Sequence, residues 1–174
     1  MKNLIITATG FDRPGIVSEI SGIITTHGGN VEESKMSKMG SDFAIIMLIT
    51  VSKDWEESLE VALQSLKNLT ITTKYTEAYK PSDSNKYQID LKGADNEGIV
   101  KVLSEFLADK SINIIEMNSH ISPAPVTGTP LFNLNSIISI PEDIIIEEVN
   151  VDLEEISQKL GVEIILHELS IGTV

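Results

Sequence analysis

An internal repeat constrains the fold of this chain more than any other feature. Sliding the 174-residue sequence on itself by 83 positions aligns residues 10–17 (GFDRPGIV) with residues 93–100 (GADNEGIV). The same offset pairs further identical residues without a gap: Ile6 with Ile89, Asn30 with Asn113, and Glu33 with Glu116. Identities clustered in one register indicate two copies of a unit of roughly 80 residues.

The hydrophobic pattern of copy one predicts the order β-α-β-β-α-β. Apolar residues alternate over residues 4–10 and then recur at helical spacing from Ile16, with Gly28-Gly29 ending that helix. Strands are predicted from Asn30 to about Lys38 and over residues 43–51, with a turn at 40–42. A second helix after Asp54, including Trp55 and Leu66, leads to a strand over 69–75. This order predicts an α+β, ferredoxin-like unit with an antiparallel sheet and helices on one face.

Copy two repeats this order with one insertion. Strands are predicted over 87–91, from Asn113, over 131–140 and over 162–169, with helices over 99–107 and 149–160. The insertion, residues 123–130, holds three prolines that we expect to interrupt the strand ladder and form a projecting loop. Residues 80–85 (KPSDSN) contain nothing apolar, so we expect two domains, 1–80 and 86–174, joined by a linker at 81–85.

The charge and composition exclude several classes of protein. The net charge is -13 and no cysteine is present. Direct binding to DNA is therefore disfavoured, and disulfides, thiolate zinc sites and cysteine nucleophiles are ruled out. Residues 1–14 do not resemble a signal peptide, and no apolar run reaches the ~20 residues of a membrane helix. We expect a soluble, cytoplasmic protein.

The connection between the first strand and the first helix of each copy has the pattern of a ligand site. It reads Asp12-Arg-Pro-Gly15 in copy one and Asp95-Asn-Glu-Gly98 in copy two. We expect Asp12 and Asp95 to be N-caps, Pro14 to lie in the first helical turn, and the glycines to let a ligand approach closely. Free N–H groups suit a carboxylate, and acceptor side chains suit an ammonium group. The pattern therefore fits a zwitterion; a capped tight turn without a ligand is the alternative.

These residues resemble a known family. The segment GFDRPGIV followed by Asn30-Val31 is similar to the ACT domain, an amino-acid-sensing βαββαβ module. The whole chain resembles tandem ACT proteins of the glycine cleavage system transcriptional repressor type, because residues 123–132 (PAPVTGTPLF) and Ile140-Pro141 are similar to the second domain of that group. Copy two departs from the pattern, with Asn96-Glu97 in place of Arg13-Pro14.

The resemblance implies where an amino acid would bind. ACT domains usually pair, and the ligand lies between two segments: the loop that joins the first strand to the first helix of one domain, and the start of the second strand of its neighbour. In copy one the implied positions are Asp12, Arg13, Pro14, Gly15, Ile16, Asn30 and Val31. In copy two they are Asp95, Asn96, Glu97, Gly98, Ile99, Asn113 and Ile114. Glycine is the first candidate ligand, and serine or another small amino acid is the alternative. We also expect the copies to pack together and the chain to form a homodimer.

We therefore expect a non-catalytic, glycine-responsive accessory repressor that acts through a DNA-binding activator protein. One alternative is a regulatory subunit of an amino-acid biosynthetic enzyme. Another is an acylphosphatase-like hydrolase, whose phosphate cradle lies in the same loop and uses an arginine such as Arg13. Against the hydrolase, Asp12 would repel phosphate and Pro14 removes one N–H group. No catalytic, metal-binding or cofactor-binding motif occurs, so we expect no catalytic residue, no metal and no cofactor.

Overall fold

The structure is a computed structural model that describes residues 1–77, 85–125 and 127–169. Its backbone contacts divide the chain into two units, Met1–Lys80 and Pro81–Val174. The predicted linker lies outside the described residues except for Asn85, which is the first residue of a strand.

Unit one contains four strands and two helices in the predicted order. The elements are β1 (Lys2–Phe11), α1 (Ile16–Thr26), β2 (Asn30–Met39), β3 (Asp42–Val51), a 3-10 turn (Lys53–Trp55), α2 (Glu56–Gln64) and β4 (Thr70–Thr76). The strands form one antiparallel sheet in the order β2-β3-β1-β4. The second helix is shorter than predicted, because Trp55 ends the 3-10 turn and Leu66 lies beyond the last helical residue.

Unit two repeats this architecture. The elements are β5 (Asn85–Ala94), α3 (Ile99–Asp109), β6 (Asn113–Pro123), β7 (Pro130–Ile140), α4 (Ile146–Leu160) and β8 (Val162–Glu168). The sheet order β6-β7-β5-β8 matches that of unit one, and every paired strand is antiparallel. The α+β, ferredoxin-like fold predicted from the sequence is confirmed.

Each core lies between the helices and one face of the sheet. Strand periodicity turns alternate residues of β1 and β3 toward the helices, and these side chains are buried: Leu4, Ile6, Ala8, Ile45, Met47 and Ile49. The helices contribute Ile20, Ile24 and Leu59, which are fully buried. Burying each such side chain stabilises the fold by roughly 1.5–3 kcal/mol. Within the part of the chain that the structure describes, the opposite face of each sheet carries no helix from its own unit.

The proline-rich insertion differs from its prediction. Strands β6 and β7 run directly into it, and Pro123 pairs with Pro130 in the ladder register. Ala124 N donates to Thr129 O at 2.8 Å just beyond that pair. Proline is tolerated at strand ends because the missing N–H group is not required there. Two of the three prolines therefore terminate the hairpin strands instead of interrupting them.

Candidate functional site

The loop between β1 and α1 is organised by a glycine. Gly15 is the N-cap residue of α1 and has a left-handed conformation, with φ 96°. No side chain caps the helix, so the predicted N-cap role of Asp12 is wrong. Pro14 likewise lies before the cap and not in the first turn. The positive φ strains any L-residue, so Gly15 is required by the backbone conformation.

Asp12 is held by the hairpin beside it. Its carboxylate pairs with Lys38 Nζ at 2.8 Å, and its backbone N–H donates to Ser41 O at 3.0 Å. Both partners lie at the end of the β2–β3 hairpin, next to the end of β1. These contacts fix the carboxylate at the mouth of the loop, where it remains one-third exposed.

Arg13 folds back over the first turn of α1. Its Nη1 donates to Glu19 Oε1 at 2.9 Å and its Nη2 to Glu19 Oε2 at 2.6 Å. These hydrogen bonds lower the pKa of the Glu19 carboxyl and raise the pKa of the guanidinium. Arg13 is therefore paired with a carboxylate of its own chain, which weakens the case for a phosphate-binding arginine.

The loop borders an open surface cavity at the start of α1. Its volume is about 450 Å³, and it is lined by Asp12, Arg13, Gly15, Ile16, Val17, Ser18, Ser21 and Phe43. The first N–H groups of a helix have no intrahelical partner, and no side-chain cap is present here. They suit a carboxylate, while the Asp12 side chain suits an ammonium group.

The start of β2 lies at the opposite end of the same sheet. Asn30 pairs with Thr50 of β3, whereas Phe11, which precedes the loop, pairs with Asp42. Thr50 and Asp42 are eight residues apart on β3, a separation of about 27 Å. The structure therefore does not bring Asn30-Val31 and the loop of its own domain together. The implied site requires a loop and a β2 from different domains.

Asn30 has a defined setting at that end. Its Nδ2 donates to Glu32 Oε1 at 3.0 Å, and Thr50 Oγ1 donates to the same oxygen at 2.8 Å. These two hydrogen bonds lower the pKa of Glu32. The bond to Glu32 uses one of the two Nδ2 hydrogens, and the side-chain carbonyl oxygen of Asn30 is the group that can accept a bond from an ammonium group. Val31, the next residue, is 37% exposed.

The loop of unit two shares the backbone of its counterpart but not its side-chain contacts. Gly98 is the N-cap of α3 with φ 85°, again without a side-chain cap, so the predicted capping role of Asp95 is also wrong. Asn96 Nδ2 donates to Leu160 O at 3.2 Å, tying the loop to the end of α4. Asp95 and Glu97 are exposed, and Ile99 is buried. Asn113 and Ile114 again lie at the far end of the sheet, where Asn113 pairs with Ser139.

Sequence reasoning missed several residues of the loop site in unit one. Glu19 and Lys38 hold the two charged loop residues, and Ser18, Ser21 and Phe43 line the cavity. Glu19 lies on the first turn of the helix, which is a position that favours acids and could have been noticed. Lys38 is distant in sequence, and only the strand pairing brings it to Asp12.

The sequence of unit one matches a known protein family. Residues 2–76 match the model of the ACT domain. Unit one is therefore an ACT domain. The match covers unit one, including the β1–α1 loop and the start of β2, and the fold of unit two repeats the same topology.

Known proteins resemble this ACT-domain chain over most of its length. The glycine cleavage system transcriptional repressor of Escherichia coli is 29% identical over 70% of this chain, and the chain spans 66% of the length of that repressor. A crystal structure of an unknown protein from Galdieria sulphuraria is 33% identical, with a TM-score of 0.84, covering 97% of this chain and 99% of that one. A structure provisionally assigned as a glycine cleavage system transcriptional repressor has a TM-score of 0.71 at 21% identity, covering 97% of this chain and 98% of its own, and shows the shared fold.

Among the helices within residues 1–77, 85–125 and 127–169, none has both the length and the apolar character needed for a membrane span.

Proposed function

We propose that this ACT-domain protein is a cytoplasmic, non-catalytic sensor of a small amino acid, with glycine the first candidate. The observation that supports it most is the cavity of about 450 Å³ at the uncapped start of α1. Two of its lining residues are charged, Asp12 and Arg13, and each is paired with a residue of opposite charge, Lys38 and Glu19 respectively. A site with little net charge and both donor and acceptor groups is matched to a zwitterion.

The proposed ligand contacts follow from this geometry. The N–H groups at the start of α1 would bind the carboxylate, and Asp12 would accept from the ammonium group. The Asn30 carbonyl oxygen of a neighbouring ACT-type domain would complete the site, because Asn30 of the same domain is about 27 Å away along the strand. The equivalent loop of unit two would bind more weakly, because Asn96 is engaged with Leu160 and the Arg13–Pro14 pair is absent.

We further propose that the protein regulates transcription through a DNA-binding activator and does so as a homodimer. The relatedness to a glycine cleavage system transcriptional repressor supports a regulatory role. The net charge of -13 opposes direct contact with a phosphate backbone, so a partner protein would carry the DNA contact. No structural feature favours the regulatory-subunit or hydrolase alternatives over this one.

Affinity purification with and without amino acid tests the regulatory proposal. The tagged full-length chain should retain a DNA-binding protein from a lysate of its own organism, and ~1 mM glycine should change the amount retained several-fold, as coupling of roughly 1–3 kcal/mol would require. The Asn30→Ala variant, run in parallel, should retain the partner but lose the response to glycine.

Other outcomes separate the alternatives. Retention of a metabolic enzyme in place of a DNA-binding protein would support the regulatory-subunit alternative. Retention that glycine does not alter, with wild type and Asn30→Ala behaving alike, would contradict amino-acid sensing.

A further inference from the structure

The two units differ most on the sheet face that carries no helix of its own unit, here called the open face. On β1 and β3 of unit one, strand register places these side chains on it: Asn3, Ile5, Thr7, Thr9, Ala44, Ile46, Leu48 and Thr50. The corresponding positions of unit two, on β5 and β7, are Lys86, Gln88, Asp90, Lys92, Asn133, Asn135, Ile137 and Ser139. The central strands of the same fold therefore place four apolar side chains on the open face of unit one and one, Ile137, on that of unit two.

The open face of unit two has the chemistry of a surface in contact with water. Asp90 accepts hydrogen bonds from Gln88 at 2.9 Å and from Asn135 at 2.6 Å, and His167 lies 3.4 Å from its carboxylate. Antiparallel sheets with one solvated face carry polar side chains on that face. Unit two shows that this fold can present such a face.

The open face of unit one does not follow that rule. Ile46 is 54% exposed at its centre, and Ile5 and Leu48 flank it as half-buried neighbours. These three residues line a cavity of about 240 Å³ together with Glu33 and Lys35. A contiguous apolar patch with a charged rim is typical of an interaction surface.

The charges at the rim indicate what covers this patch. One cross-strand row runs Lys74, Ile5, Leu48, Glu33, from β4 to β2. Two such faces can be related by a two-fold axis that lies between them and runs parallel to the strands. The row of the second copy then crosses the sheet in the opposite order to the row of the first. Glu33 of one copy then faces Lys74 of the other, Leu48 faces Ile5, and each contact occurs twice.

We infer that the open face of unit one is a homodimer interface, covered by the same face of a second copy. The apolar centre supplies the buried contact, and the Glu33–Lys74 pairs fix the orientation. This arrangement places like ends of the two sheets together, so Asn30 of one copy stays about 27 Å from the loop of the other along the strands. The interface is therefore separate from the contact that would complete the ligand site, and it holds whether or not the chain binds an amino acid.

Sedimentation equilibrium of the full chain over about 1–100 μM tests the interface. Wild type should dimerise, and Ile46→Glu should weaken dimerisation by at least about tenfold because it places a charge at the apolar centre. Ile165→Glu is the matched control: Ile165 is 43% exposed on the open face of unit two, and its variant should dimerise like wild type.

Charge reversal tests the orientation without disturbing the core. Glu33→Lys and Lys74→Glu should each weaken the dimer about threefold or more, and the double variant should recover to about twofold of wild type, since the pairs are re-formed with opposite sign. Circular dichroism should show the same folded spectrum for every variant. A wild type that stays monomeric, an Ile46→Glu variant as dimeric as wild type, or a double variant no better than the singles would each overturn the assignment.

Discussion

Arg13 binds both carboxylate oxygens of Glu19, six residues further along the chain, at 2.9 and 2.6 Å. Arg13 lines the cavity at the start of α1, and its pairing with Glu19 balances a positive charge that would otherwise attract an anion. A phosphate cradle needs its arginine directed at the ligand. The pairing therefore gives the loop a fixed shape and a balanced charge, which suits a neutral zwitterion better than an acyl phosphate.

The conformation of the loop gives the first prediction. Gly15→Ala should destabilise the protein by about 1–2 kcal/mol, because φ 96° is a left-handed conformation that L-residues adopt at a cost. Gly22→Ala, in the exposed middle of the same helix, should stabilise it by up to about 1 kcal/mol, since an added Cβ there meets no atom within 4 Å. Urea unfolding followed by circular dichroism compares the two, and equal shifts of the midpoint would contradict the assigned backbone.

The Arg13–Glu19 pair gives a pH-dependent prediction. The pKa of Glu19 is lowered from 4.5 in the folded protein, chiefly by the hydrogen bond from Arg13. A lowered folded-state pKa contributes stability that is present above the unfolded-state pKa and is lost as the pH falls through the folded-state value. Glu19→Gln should therefore lower the melting temperature slightly at pH 7 and by less at about pH 3.

The control for this measurement is Glu154→Gln, at an exposed glutamate on α4. At pH 7, the melting temperature of Glu154→Gln should differ less from that of wild type than the melting temperature of Glu19→Gln does. A Glu19→Gln difference that persists unchanged at low pH would show that the pair is not its origin.

The fold was predictable because it depends on periodicity. Apolar residues alternate along residues 4–10 and recur at helical spacing from Ile16. This pattern indicates directly which side of each strand or helix is buried. The site was less predictable, because its partners come from distant strands. Asp12 fits the local rule for an N-cap, yet the hairpin brings Lys38 to it, and Gly15 takes the cap position. The distance of Asn30 from the loop follows from strand direction and could have been deduced from the predicted topology.

The third prediction concerns nucleic acid. Promoter DNA should not be retarded in a gel by this protein alone at physiological salt, because a net charge of -13 provides no counterion release. Retardation is expected only when a DNA-binding partner is added. A sequence-specific shift produced by the purified chain alone would contradict this account.

The fourth prediction separates the two loops. Asn30→Ala should weaken amino-acid binding by about tenfold, the cost of losing one hydrogen bond to a charged group. Asn113→Ala should weaken it less, because the loop of unit two lacks Arg13 and Pro14 and its Asn96 bonds Leu160. Gly15→Val and Gly98→Val should show the same ranking, but their positive φ angles strain the fold, so the asparagine pair is the cleaner comparison. Equal losses for the two asparagines would contradict the ranking.

The central claim is that the chain binds a small amino acid, and calorimetric titration tests it most directly. Glycine, serine and a panel of other amino acids should be titrated into the folded full-length chain. The account predicts saturable binding of glycine or another small amino acid with a Kd of about 1 μM to 1 mM, weakened in Asn30→Ala. No heat with any amino acid, from protein shown to be folded by circular dichroism, would contradict it and leave the two loops as glycine-capped turns.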